Sequence, residues 1–210
     1  MKFILASALL CCSLAVYAAP ENPQINNQPE DTDAFDFMLA AGITFGGDDL
    51  ISTTGGEVSV TSGGLFYMAA GGVYHFSQNF EVQASFGYHF DSVTAENGTA
   101  DFSRTFIEVL PFYKADSGNR FGIGFTQVMS PEFSGPFGDG SFDDTSGMII
   151  EYDWSLAQNS SGFMKDSYIG LRYVNLTYEK NSGILDFDGD GSAKDSVDGS
   201  YIGLLFQGNF

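Results

Sequence analysis

From Phe80 to Asp91 the chain alternates without a break: Phe80, Val82, Ala84, Phe86, Tyr88 and Phe90 stand against Glu81, Gln83, Ser85, Gly87, His89 and Asp91. Successive side chains of an extended strand point to opposite faces, so this segment predicts a strand with one apolar face and one polar or small face. The pattern recurs along the chain. Its apolar faces are Phe35, Phe37, Leu39, Ala41, Ile43 and Phe45, then Phe66, Met68, Ala70, Tyr74 and Phe76. It continues through Thr105, Ile107, Val109 and Tyr113; Phe121, Ile123 and Phe125; Met148, Ile150, Tyr152 and Trp154; Ile169, Leu171 and Tyr173; and Ile202, Leu204, Phe206 and Phe210. About eight segments result, each near the length a tilted strand needs to cross a bilayer. No stretch beyond the N-terminal leader approaches the roughly 20 continuous apolar residues of a spanning helix. Yet 43% of the residues are hydrophobic and 15% aromatic. A chain of this kind enters a membrane as strands or not at all.

The connections alternate too. Ser77-Gln78-Asn79, Ala115 to Asn119 and Leu156 to Lys165 form a shorter, plainer set. Gly47 to Thr61, Ser92 to Ala100, Pro131 to Ser141 and Glu179 to Val197 form a longer set rich in Gly, Asp, Ser and Thr. Short turns at one end and long loops at the other are the habit of transmembrane barrels, whose long loops are extracellular.

The first 18 residues carry one charge, Lys2, then an apolar run from Phe3 to Val16 and small residues before Ala19. This predicts a secretory signal peptide over residues 1–18, cut between Ala18 and Ala19. Both cysteines, Cys11 and Cys12, lie inside it, and Leu9 and Leu10 are too large for a lipidation site, so no disulfide or thiol chemistry is expected in the mature chain. Residues 19–33, rich in Pro, Asn and Gln, predict a flexible periplasmic tail. Residues 34–210 are expected to form one barrel domain.

Acidic residues number 27 against 8 basic, a formal net charge of −19. Nucleic acid is thereby excluded as a partner, because phosphate contacts need clustered Lys and Arg. An acidic exterior either draws divalent cations, which bridge to lipopolysaccharide phosphates, or simply keeps exposed loops soluble.

Alternation alone leaves a soluble barrel open, with its faces exchanged. Three features decide. The chain ends Tyr201-Ile202-Gly203-Leu204-Leu205-Phe206-Gln207-Gly208-Asn209-Phe210, with apolar residues at alternate positions before a final Phe. Aromatic residues gather toward strand ends, as in interfacial girdles. The polar faces carry many Gly, Ser and Thr residues, which suits a narrow barrel interior. In these features the chain resembles the small bacterial outer-membrane β-barrels of the OmpA and OmpX type. That resemblance implies an all-β, eight-stranded, antiparallel up-and-down transmembrane barrel in the bacterial outer membrane. It implies outer-membrane lipid and lipopolysaccharide as surroundings, and recognition of the Phe210 strand by the barrel-assembly machinery. Gly208 departs from the pattern, since an apolar or aromatic residue is usual there. A closed barrel has no free edge to force association, and a monomer is expected.

Turning the polar faces inward places Glu81, His89, Arg104, Glu108, Arg120, Glu151, Asp153 and Arg172 in the lumen. An unpaired ion there carries several kcal/mol of desolvation cost, so a salt-bridged network joining Arg104, Glu108, Glu151 and Arg172 is expected. Such a network is either a plug of paired charges or a path for protons or ions. Asp186-Phe187-Asp188-Gly189-Asp190-Gly191-Ser192, with Asp195 behind, matches the first half of a calcium loop; the twelfth position is Val197 where a bidentate Glu belongs. Asp186, Asp188, Asp190 and Asp195 are therefore candidate Ca2+ ligands, with an ordinary acidic loop as the other reading, and no other cofactor is indicated. His89, Asp91 and Ser92 form a His, Asp and Ser grouping near the predicted outer rim, with His89 and Asp91 on one strand face, a spacing also expected by chance; His75 reads as interfacial. The sequence thus points to a non-enzymatic barrel serving envelope integrity or surface interaction. A small passive pore is the alternative, and a lipid A-modifying enzyme the third reading.

Overall fold

The computed structural model describes residues 34–52, 59–95, 98–136, 138–158, 163–183 and 195–210. The leader and tail expected over residues 1–33, and the candidate ligands Asp186, Asp188 and Asp190, lie outside them. Thirteen strands are described: β1 (Phe35–Gly46), β2 (Asp49–Ser52), β3 (Ser59–Thr61), β4 (Phe66–Ser77), β5 (Phe80–Ala95), β6 (Gly98–Lys114), β7 (Arg120–Ser134), β8 (Gly140–Phe142), β9 (Thr145–Gln158), β10 (Asp166–Asn175), β11 (Thr177–Gly183), β12 (Ser196–Asp198) and β13 (Tyr201–Asn209).

Eight of these, β1, β4, β5, β6, β7, β9, β10 and β13, pair antiparallel with their neighbours in chain order. The ring closes where β13 pairs with β1, from Met38 opposite Asn209 to Gly46 opposite Tyr201. Closure leaves no edge within the wall. Every segment of the period-two pattern became one wall strand, and its apolar face points outward: Phe37, Phe66, Phe86, Phe125, Ile150, Trp154 and Phe206 are all exposed.

The lumen is filled by side chains. Tyr67, Phe102, Phe106, Leu110, Phe112 and Tyr168 are buried there beside the charged groups. Small residues on the inner face make room for them. A side chain at Gly122 would press on the Phe112 ring at 2.6 Å, and one at Gly87 would meet the Phe106 ring at 2.1 Å. Alternating large and small inward residues is how a narrow barrel reaches close packing.

At the long-loop end the strands outrun the sequence expectation. Ser92 to Ala100, expected as a loop, is mostly ladder: Val93 pairs with Ala100 and Thr94 with Thr99. Its buried face carries only the small Ala100 and the half-buried Val93, and its other face Ser92, Thr94 and Thr99, so the alternation has little hydrophobic contrast and the pairing does not stand out in the pattern. Beyond the wall, β7 passes to β8, β8 pairs with β11, and β11 with β12. β2 and β3 form a separate hairpin whose Leu50 and Val60 are fully buried in the barrel mouth.

Candidate functional site: a charged lumen in three layers

Three arginines occupy three levels of the lumen, and each is at most 2% exposed. A buried guanidinium is tolerable only when its donors meet well-placed acceptors. Each arginine bonds a group beside it on the neighbouring strand and a second group from farther round the barrel or from the segment after β3.

Arg120 lies at the short-turn end. It is in register with Asp153 on β9, and its Nε donates to Asp153 Oδ2 at 2.6 Å. Nη1 donates to Glu81 Oε1 on β5, the second strand along the wall, at 2.6 Å. Phe112 and Tyr168 stack on the guanidinium at 4.2 and 4.1 Å, a contact that favours a cation over a ring face. Glu81 extends the chain: its Oε2 lies 3.2 Å from His75 Nδ1, and His75 Nε2 lies 2.9 Å from Asp36 Oδ2. Lys165 Nζ reaches Asp36 Oδ1 at 2.6 Å. His75 thus turns into the mouth of the lumen rather than toward the membrane interface, and ties β4 to β1 and β5.

Arg172 holds the middle. It is in register with Glu151, to whose Oε2 both Nε and Nη2 donate, at 2.8 and 2.5 Å. Nη1 donates across the lumen to both Glu108 oxygens at 3.0 and 3.1 Å. The Tyr67 hydroxyl donates to Glu108 Oε2 at 3.0 Å, and its ring carries the guanidinium at 4.7 Å. Charge-assisted bonds of this geometry are about twice as strong as neutral ones.

Arg104 stands apart at the long-loop end, and here the expected four-residue network fails. The register sets it opposite His89. Nη2 donates to His89 Nδ1 and Nη1 to the Ser62 carbonyl. Glu108, four positions along the same strand face, is roughly 13 Å away by strand rise, which puts it in the next layer. Phe102, Tyr178 and Tyr201 surround the Arg104 guanidinium at 5.4 to 5.5 Å. The network therefore divides: Arg172 joins Glu108 and Glu151, while Arg104 belongs to a separate level. Arg120 with Glu81 and Asp153 forms a cluster that sequence reasoning placed inward without assembling. Its signal was present in the direct pairing of Arg120 with Asp153, readable once β7 and β9 are known to be neighbours.

The His, Asp and Ser grouping is dispersed. His89 Nδ1 accepts from Arg104, and its Nε2 lies 2.6 Å from Thr44 Oγ1, so both ring nitrogens are engaged. Asp91 Oδ2 accepts from the Thr61 backbone N–H at 2.9 Å. Ser92 is exposed, on the opposite strand face. Of the candidate calcium ligands only Asp195 is described; it is exposed, and its carbonyl accepts from the Lys180 N–H at 2.8 Å. Among the described residues no three His, Cys, Asp or Glu side chains are grouped to hold a metal.

The C-terminal anomaly has a structural counterpart. The outward position at Gly208 is covered by Met164 from the β9–β10 turn, whose Cε and Sδ would stand 2.9 and 3.0 Å from a Cβ there. Phe163 packs on Phe210 at 5.0 Å between ring centroids. A neighbouring turn supplies the apolar surface that residue 208 lacks.

No known family profile and no curated protein matches this sequence. Solved structures do. Neisserial surface protein A (NspA) is 12% identical, with 84% of this chain covering 97% of that one at a TM-score of 0.51. Ail, the attachment invasion locus protein of Yersinia pestis, solved with the heparin analogue sucrose octasulfate, is 11% identical over 83% and 96% at 0.46. The outer membrane protein AlkL, solved in lipid bilayers, is 13% identical over 90% and 97% at 0.43. The chain has the closed eight-stranded antiparallel barrel fold of small bacterial outer-membrane proteins.

Proposed function

We propose that this protein is exported through a cleaved leader and resides in the bacterial outer membrane as a non-enzymatic barrel. Its lumen is a structural plug, and its long loops are its working surface. The observation that carries the reading is the pairing of an apolar outer wall with three levels of side chains that water does not reach. A pore needs a hydrated path, whereas Arg120, Arg172 and Arg104 each fill their level together with stacked aromatic rings. The long-loop end of the barrel carries Asp49, Asp101, Glu132, Asp143, Asp144 and Glu179, all exposed. Such a surface suits divalent cations that bridge to lipopolysaccharide phosphates.

Membrane residence is testable with the native fluorophore. Trp154, the single tryptophan, faces outward from β9. Reconstituted into vesicles containing brominated phospholipid, the folded barrel is expected to lose much of its Trp154 emission. Emission indifferent to the brominated lipid would place the apolar wall outside the bilayer and end the proposal.

A further inference from the structure

The two levels built on Arg120 and Arg172 hold more carboxyl groups than cations. Arg120 meets Glu81 and Asp153, and Arg172 meets Glu108 and Glu151, so two guanidiniums face four carboxyl groups, each 1% exposed. His75 adds a third positive charge beside Glu81 when protonated, and Lys165 and Asp36 cancel one another. One negative charge is left over. In a lumen packed with side chains an uncompensated charge is costly enough that a carboxyl group keeps its proton instead.

The hydrogen bonds decide where that proton lies. Both Glu108 oxygens accept from donors, Arg172 Nη1 and the Tyr67 hydroxyl. Glu81 Oε1 accepts from Arg120, and its Oε2 faces His75. Neither group meets an acceptor to which a proton of its own could be donated. Glu151 and Asp153 differ. They stand two apart on the inward face of β9, and each offers arginine one oxygen only: Glu151 Oε2 goes to Arg172 and Asp153 Oδ2 to Arg120. The remaining oxygens converge beside Gly170, which is in register with Asp153 on β10. A Cβ at Gly170 would strike Asp153 Oδ1 and stand 3.5 Å from Glu151 Oε1, so the missing side chain leaves these two oxygens their place. The two side chains are hydrogen-bonded to each other. An ionised carboxylate only accepts, so two of them bond only with a proton between. Around the pair stand Arg120 from β7, Arg172 and Tyr168 from β10, Glu81 from β5, Glu108 from β6, Tyr67 from β4 and Tyr201 from β13.

We propose that Glu151 and Asp153 bind one proton between them, an acid–carboxylate pair that joins the Arg120 and Arg172 levels into one hydrogen-bonded column. With that proton and a protonated His75 the column carries no net charge. The proton is a ligand of the folded barrel alone. In the unfolded chain the two groups separate and ionise above the ordinary carboxylate range, about pH 4. Above that pH the folded state therefore holds one proton more than the unfolded state. The pair's contribution to stability falls as pH rises, until the folded pair itself ionises. The proposal rests on the dry lumen of the plug reading, yet the two fail separately: conductance reports an open path, and titration reports the proton.

The test compares the parent barrel with Asp153→Asn by urea unfolding in vesicles at pH 5 and pH 6. Asparagine keeps both contacts without a titrating group, since its oxygen accepts from Arg120 and its amide donates to Glu151. His75 and His89, which also exchange protons in this interval, are the same in both proteins and drop out of the comparison. The ratio of unfolding constants, parent over variant, is expected to rise about tenfold from pH 5 to pH 6, the linkage of one proton released on unfolding. Because Asp153→Asn alters a buried level, a second measurement needs no substitution. The infrared spectrum of the folded parent at pH 6, where exposed carboxyl groups are ionised, is expected to keep the C=O stretching band of a protonated carboxyl. That band is expected to disappear in folded Asp153→Asn and in folded Glu151→Gln. A ratio unchanged between the two pH values, a parent without the band, or a band undiminished in either folded variant would each overturn the proposal.

Discussion

Arg172→Met is the substitution through which the lumen answers most clearly. The change removes the cation while keeping an unbranched apolar stem against the Tyr67 ring. Glu108 and Glu151, each 1% exposed, then face one another with no counterion. Removing one partner of a buried ion pair costs about 3–5 kcal/mol, most of it the penalty on the charge left behind. Here two carboxylates are stranded, so a loss toward the upper end, about 5 kcal/mol, is expected. The origin of the loss is separable. Adding Glu108→Gln and Glu151→Gln removes both stranded charges with little change of shape, and the triple variant is expected to return to within about 1–2 kcal/mol of the parent, since replacing a whole buried network is often nearly neutral. The assay is urea unfolding in vesicles, read by the shift in gel mobility between folded and heat-unfolded barrel. A single variant losing less than about 1 kcal/mol, the worth of an exposed ion pair, would refute the claim that this layer is dry and paired. A triple variant no better than the single would refute the assignment of the loss to stranded charge.

Two further substitutions probe packing. Gly208→Leu pushes only on the flexible Met164 side chain, so it is expected to cost about 1 kcal/mol or less. Combined with Met164→Ala it should cost less than the sum of the two single changes, because leucine then fills the place methionine left; strict additivity in a double-mutant cycle would show that the two positions do not share that space. Gly122→Ala presses on the Phe112 ring, the same ring that stacks on Arg120. Overpacking of this kind is expected to cost about 1–3 kcal/mol in the same urea assay, and an unchanged midpoint would mean that the inner face is looser than its contacts indicate.

The wall was legible in the sequence because one physical rule writes it: a strand with one face on a packed lumen and the other outside must alternate, and Phe80 to Asp91 does so without a fault. The inward charges were legible for the same reason, since Glu81, Arg120 and Arg172 fall on the face opposite the aromatic belt. Their partners were not. Pairing depends on which strands meet in the lumen and on stagger, so Arg104, grouped with Glu108 by proximity in sequence, bonds instead to His89 beside it and to the Ser62 carbonyl just after β3. The packed rings were also hidden. Phe106, Leu110 and Phe112 sit among Ile107, Val109 and Tyr113 in a strand apolar on both faces, where period two loses its contrast. The substitution of Met164 for a missing side chain at Gly208 could not be read at all, because it joins a turn to a strand 44 positions away only after the barrel closes.

Single-channel conductance of the purified barrel in planar bilayers, with folded mobility verified on gels, tests the central claim most directly. A lumen closed at three charged levels predicts bilayers that stay electrically silent while the folded barrel is demonstrably inserted. Stable, discrete conductance steps from that same folded protein would contradict the plug and make the lumen a path for solutes.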